Sequence, residues 1–248
     1  MKIKKIHILS VLFVMFVYSP LHSQTCGFGC LGLSGIYGGY SYQFYKPDGI
    51  NRYLNLRMLE IDLPDNKVNF KRGEGFRIGA NLFRAQFDNY FLTAKGYYQF
   101  IKEQHESSEE NPDGNPLFQS TLEMNHWGLG IDLGFPVFKF LSWKVVEGGV
   151  TFYTTDLNNV FDTPNIPLSE EKYSNIDINV GFYIGTGLII NVIPDYVSIE
   201  GSAFYNKVKV EDLINDDGNF LFGENSKYRI IEKGNLSATV QLNIGVPL

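Results

Sequence analysis

From Leu236 to Val246 the chain reads "LSATVQLNIGV", apolar and polar residues alternating without a break. Successive side chains of a β-strand point to opposite faces, so a period of two marks a strand with one apolar and one polar side. Leu236, Ala238, Val240, Leu242, Ile244 and Val246 share one side; Ser237, Thr239, Gln241, Asn243 and Gly245 share the other. In a soluble sandwich the apolar side is buried. In a membrane barrel it meets lipid, and the polar side lines the interior. This stretch alone leaves both open.

The same rhythm recurs in "SGIYGGYSYQFYK", "GFRIGANLFRAQF", "YFLTAKGYYQF", "HWGLGIDLGF", "KVVEGGVTFYT", "NIDINVGFYIGTG" and "YVSIEGSAFYN", which with the last segment predicts eight strands. Their connections alternate strictly between long and short. Long links are expected over about 47–74, 102–118 ("KEQHESSEENPDGNPLF"), about 156–173 and about 208–233; between them stand only "DN" at Asp88–Asn89, "PVFKFLS" and "VIPD". Antiparallel strands joined this way put every long loop at one end and every short turn at the other, the layout of an outer-membrane barrel.

The faces then resolve. The polar rows carry Arg77, Lys95, Asp132, Glu147, Asp177 and Glu200 and are rich in Gly, whereas the opposite rows carry Phe, Tyr, Ile and Leu. An eight-stranded barrel has room inside for modest side chains only. Glycine inward and bulk outward fits that volume; the inverse overfills it. The reading is therefore an all-β, eight-stranded antiparallel up-and-down transmembrane barrel. Trp127, Leu129, Ile131, Leu133, Val240, Leu242 and Ile244 face lipid, and the six charges pair in the lumen, because buried charges without partners are very costly. Arg84 joins them if a bulge turns it inward.

In layout and strand texture, from "GIYGGYSYQFY" to "VQLNIGVPL", the chain resembles the small outer-membrane barrels of Gram-negative bacteria, the OmpA-transmembrane and OmpX-like class. The resemblance implies residence in the outer membrane and a function carried by external loops. Where such barrels often end on an aromatic residue, this sequence has Leu248.

The N-terminal "MKIKKIHILSVLFVMFVYSPLHSQ" has Lys2, Lys4 and Lys5, an apolar run from Ile8 to Tyr18, then Pro20 and Ser23. That is the layout of a secretory signal peptide over residues 1–23, the apolar run being shorter than the roughly 20 residues of a spanning helix. Removing those residues takes three positive charges and no negative ones from a formal net charge of −6, leaving −9. An acidic chain without a basic cluster excludes nucleic acid as a partner. Residues 24–32 form a short segment with the only cysteines, Cys26 and Cys30, ahead of a barrel over 33–248. In an exported chain their spacing favours a short-loop disulfide, with free thiols the alternative. With no nearby His they make a poor metal site.

Chemistry is sparse. Beyond the leader the histidines are His105 and His126. His105 stands two residues before Ser107, a spacing that puts both on one strand face, and a His–Ser pair beside a carboxylate activates a nucleophile. The acidic, turn-rich "SEENPDGN" beside it favours a solvated loop instead. Asp216, Asp217, Asn219 and Glu224 surround Gly218 with spacing unlike a calcium loop. The "PDG" at 47–49 and at 112–114 are turn formers. No cofactor, metal or catalytic residue is expected. The expected partners are outer-membrane lipid and an envelope protein met through the loops. The leading function is a non-enzymatic barrel acting through those loops in partner binding or envelope stabilisation. A small-solute or ion conduit and a lipid-modifying enzyme are the alternatives.

Overall fold

The computed structural model describes residues 35–63, 65–87, 89–163, 166–194, 196–222, 230–231 and 234–245; the leader, Cys26 and Cys30 lie outside these. In chain order the elements are β1 (Gly35–Phe44), α1 (Asp48–Glu60), β2 (Arg72–Gln86), β3 (Phe91–Gln99), β4 (Lys102–Glu106) and β5 (Phe118–Phe138). Then come β6 (Leu141–Thr163), β7 (Ile166–Asn175), β8 (Asn179–Ile193), β9 (Val197–Lys207), β10 (Leu213–Asn215) and β11 (Asn235–Gly245).

Eight of the strands close a ring. β1 pairs with β2 on one side and β11 on the other, and the circuit β1-β2-β3-β5-β6-β8-β9-β11 is antiparallel throughout. The apolar rows face outward: Trp127 is 62% exposed, Ile131 58% and Val240 60%, with Leu129, Leu242 and Ile244 also exposed and Leu133 half-buried. Their polar neighbours Thr239 and Gln241 are buried inside. Closure leaves no unpaired edge, the requirement for strands in a hydrocarbon medium. The protein is an eight-stranded transmembrane β-barrel.

β5 and β6, of 21 and 23 residues, far exceed the roughly 9–11 residues a tilted strand needs to cross a bilayer. Their surplus rises from the long-connection end as a wall that β4 joins on one side and β7, then β10, on the other. The long link expected over 156–173 is thus mostly strand: β6 continues to Thr163 and β7 returns along it.

The stretch 47–74, expected to be polar loop, contains α1. Pro47 is its N-cap and Asp48 opens its first turn, so "PDG" starts a helix rather than a turn; proline and an acidic residue both suit a helix N-terminus. Arg57 sits in the last turn, and Asp62, at φ 62°, ends the helix while the Leu63 amide donates to the Met58 carbonyl at 2.8 Å. Ile50, Leu54 and Met58, spaced by four, form the buried stripe. They pack with Leu122, Met124, Leu157 and Phe161 of the raised wall and with Val210, Leu213 and Ile231 of the last long connection. The result is an apolar core standing above the barrel, here termed the cap.

Candidate functional site: the lumen and its cap

The barrel interior is built from alternation and glycine. Tyr37, Tyr97, Tyr183 and Phe204 point inward and cluster, with Tyr97 and Tyr183 ring centroids 6.0 Å apart and Tyr183 and Phe204 5.4 Å apart. Each lies over an inward glycine. A β-carbon at Gly79, Gly128, Gly130 or Gly185 would overlap Tyr37, Tyr97, Tyr183 or Phe204 respectively. Bulk therefore does enter the lumen, and the glycines are what make space for it.

Beside this cluster lies a group of buried charges. Lys95 Nζ is 2.8 Å from Asp132, 3.3 Å from Glu147 and 3.7 Å from Glu200. Lys144 bonds both Glu147 and Glu200. Arg77 donates from Nε to Gln99 Oε1 at 2.6 Å, and its guanidinium lies 4.0 Å over the Tyr97 ring. Ser41 also donates to Gln99 Oε1, at 3.1 Å. Lys95 and Lys144 thus pair with three carboxylates in a water-poor interior, where mutual pairing offsets part of a large desolvation cost, while Arg77 is held by Gln99 and the Tyr97 ring rather than by a carboxylate.

Five of the six lumen residues expected from the sequence come together here. Asp177 does not. It is exposed, in the bend between β7 and β8, two residues before β8 begins. Its side parity is inward, but the strand that would carry it inward has not started. Lys144 was missed. Counted strictly from Glu147 it falls on the lipid side; a bulge at Val145 absorbs one residue, so that Leu133 pairs with Val146 but Gly134 with Lys144. Lysine in the strict-count row of Val146 and Val150 was the available signal, since a charge facing mid-bilayer lipid is costly. A bulge at Asn81–Phe83 likewise aligns Arg84 with the inward Thr93. Its guanidinium lies 4.6 Å over the Phe91 ring near the short-turn end.

At the other end of the lumen, His126 and Tyr153 are buried with ring centroids 4.3 Å apart. Above them begins the cap core. α1 is fastened by two asparagines one turn apart that act as ladder groups. Asn51 donates to the Phe70 carbonyl at 2.9 Å and accepts from the Phe70 amide at 2.7 Å. Asn55 does the same with Val68, at 2.9 and 3.1 Å. On the far side, Arg57 and Tyr53 reach Glu171 of β7, at 2.6 and 3.0 Å.

Glu103 of β4 ties the base of the cap. Its carboxylate accepts from the Lys71 and Arg72 amides at 3.0 and 2.9 Å, from the Tyr45 hydroxyl at 2.6 Å, and stands 3.1 Å from His105 Nε2. Burial alone would raise its pKa, but the bonds to His105, Tyr45 and the two amides hold it below the ordinary value. His105 also sets its ring 4.7 Å edge-on to Phe70. Ser107, its sequence partner in the catalytic reading, donates to the Glu109 carbonyl at 2.7 Å and accepts from the Phe118 amide at 3.1 Å. The two residues serve different partners, His105 the Glu103 carboxylate and Phe70 ring, Ser107 the backbone at Glu109 and Phe118. Asp217 and Asn219 amides close on the Asn215 side chain with Gly218 at φ 80°, a turn as expected. Among the described residues no group of His, Cys, Asp and Glu is arranged to hold a metal.

No family model matches the chain, and no curated protein matches it in sequence. Similar solved structures include Ail, the attachment invasion locus protein of Yersinia pestis, at 15% identity over 86% of this chain and 95% of that one, TM-score 0.40. A major outer membrane protein from Thermus thermophilus aligns at 9% identity over 85% and 99%, TM-score 0.48. The outer membrane protease OmpT from Escherichia coli aligns at 9% identity over 86% and 94%, TM-score 0.40.

Proposed function

We propose that the protein is a non-enzymatic barrel of the Gram-negative outer membrane, exported by a leader over residues 1–23, whose work is done by contact at its cap. The observation that carries this reading is that the long connections pack into a folded body over the mouth. Among the described residues its inner face is apolar and packed, which leaves its outer surface for contact. That surface includes the outer side of α1, where Leu56 and Leu59 are exposed beside Arg52. Exposed apolar side chains rimmed by charge suit a protein contact.

The conduit alternative is disfavoured by the lumen, which is crossed by the aromatic cluster and the charge group and roofed by the cap core. The lipid-modifying alternative is disfavoured by His105 and Ser107 serving different partners. Reconstituted protein is accordingly expected to show no steady conductance in planar bilayers.

The test replaces Leu56 and Leu59 together with glutamate, a change confined to the exposed side of α1. Heat-modifiable migration and protease resistance should match the parent. Envelope resistance to detergent or cell-surface attachment, measured in cells carrying only the variant, should fall to the level of a deletion strain. Full retention of both would contradict a contact role for this face.

A further inference from the structure

The outward wall over β1, β2, β3 and β5 is not uniformly filled. A trough of about 1000 Å³ lies in it, with no charged residue in its lining. Two neighbouring lines of paired residues frame it. One runs Ile244–Ile36–Ala80–Gly96–Leu129, the next Leu242–Gly38–Ile78–Tyr98–Trp127. The trough exists because Gly38, Ala80 and Gly96 are small where the surrounding positions are large. The wall is thin here, and Tyr37 and Tyr97, whose rings turn into the lumen, also contribute to the lining.

The reason for small residues here differs from that inside the barrel. Inward Gly128 and Gly130 are dictated by the tyrosines that overlie them. Outward Gly96 has room: the nearest atom to an added β-carbon is Leu129 Cδ2 at 3.4 Å, ordinary contact, and for Gly38 it is the Arg77 carbonyl at 4.0 Å. Neither has the positive φ that favours glycine. Among the described residues nothing requires these positions to be empty of side chains.

The trough is continuous with the apolar belt that meets the bilayer, and its volume reaches the upper end of the roughly 300–1,000 Å³ of small-ligand pockets. At this depth the surrounding medium is hydrocarbon. We propose that the trough seats one acyl chain of a bilayer phospholipid, held against the thin wall at Gly38, Ala80 and Gly96 and flanked at its upper edge by Tyr98 and Trp127, whose rings are 4.7 Å apart. The seated chain is a bound component of the barrel, distinct from the exchanging lipid around the rest of the belt. Small residues at a membrane interface permit this close approach by a partner. Small outward residues also occur at Gly201 and at the paired Ala203 and Ala238, whereas Val150 and Phe182 pair directly as larger cover.

The chain has two tryptophans, Trp127 at the trough and Trp143, exposed on the lipid side of β6. This gives an internal control. Trp143→Phe and Trp127→Phe variants of the full barrel are reconstituted into phosphatidylcholine vesicles with a rising fraction of phospholipid brominated along one acyl chain. The seat predicts that Trp127 exchanges its contacting chain more slowly than Trp143, so that after brominated vesicles are fused with the sample its quenching lags. Gly96→Leu in the Trp143→Phe background fills the trough and abolishes the lag; Ala80→Leu does the same by a second route, and heat-modifiable migration verifies assembly of each. Equal quenching kinetics at Trp127 and Trp143, or a Trp127 lag that both filled variants retain, would overturn the proposal. So would cross-linking that shows a second barrel seated on this wall and shielding Trp127 from quencher.

Discussion

The barrel and its cap are inverted with respect to each other, and they share strands. Along the inner face of β6, Glu147 and Thr151 belong to the polar lumen, Tyr153 stands at the boundary, and Leu157 and Phe161 belong to the apolar cap core. Along its outer face the order reverses, from Val146 and Val150 toward lipid to Asn158, which bonds Glu170 at 2.9 Å, toward water. One strand thus changes the polarity of both faces at the level where it leaves the membrane. The same alternation with period two serves two opposite solvents. What each core needs is therefore different: below, matched charges; above, matched volumes.

The greatest loss is expected in the lower core. Lys144→Met leaves Glu147 and Glu200 sharing only Lys95, and removing one partner of a buried pair costs about 3–5 kcal/mol. Urea unfolding in micelles should show that loss for the barrel. Lys144→Arg should retain most of the stability, and an unchanged midpoint for the Met variant would mean the group is not paired.

In the upper core, Leu54→Ala leaves a cavity costing about 2–5 kcal/mol. Because the cap has its own core, this loss should stay local. Proteolysis within 48–70 should rise while heat-modifiable migration of the barrel stays at the parental position. Loss of both together would show that cap and barrel are one cooperative unit.

On the lipid face, Ile131→Arg should cost about 2–4 kcal/mol, the range for Arg near the bilayer midplane. Arginine at Asn158, on the same outward side but above the membrane, should be nearly neutral. Equal effects at the two positions would remove the boundary between the regions.

The mildest change is at Glu103. Its folded pKa is held below the ordinary value, so its contribution to the cap is present above the unfolded pKa and lost as pH falls through the folded one. Glu103→Gln should cost about 1.5–3 kcal/mol at neutral pH, the scale of hydrogen bonds to a charged group, and should flatten the acid limb of cap protease sensitivity. An identical acid limb in the variant would assign that limb to other carboxylates.

The ring was legible in the sequence because strand parity and the strict alternation of long and short connections are local patterns. Parity also placed Arg77, Lys95, Asp132, Glu147 and Glu200 inside. It failed wherever a backbone irregularity intervened: the bulge at Val145 hid Lys144, and the bend before β8 put Asp177 outside. The cap was less legible. Pro47, Asp48 and Gly49 suit a turn as well as a helix start, and the stripe of Ile50, Leu54 and Met58 meets partners from other long connections, far away in sequence. Of the apolar residues in those connections, Leu54, Met58, Ile61, Leu63, Leu213, Leu221 and Ile231 pack together, leaving Leu56 and Leu59 outside.

Two folded cores standing on β6 require it to be one continuous strand. Amide hydrogen exchange along residues 141–163, measured in detergent micelles, reads that continuity residue by residue. Protection over 155–161 should be of the same order as over 147–153, because the upper stretch is paired with β5 and β7 and backed by the cap core. Fast exchange over 155–161 above a protected 147–153 would instead show that the connections are loose loops on a bare barrel.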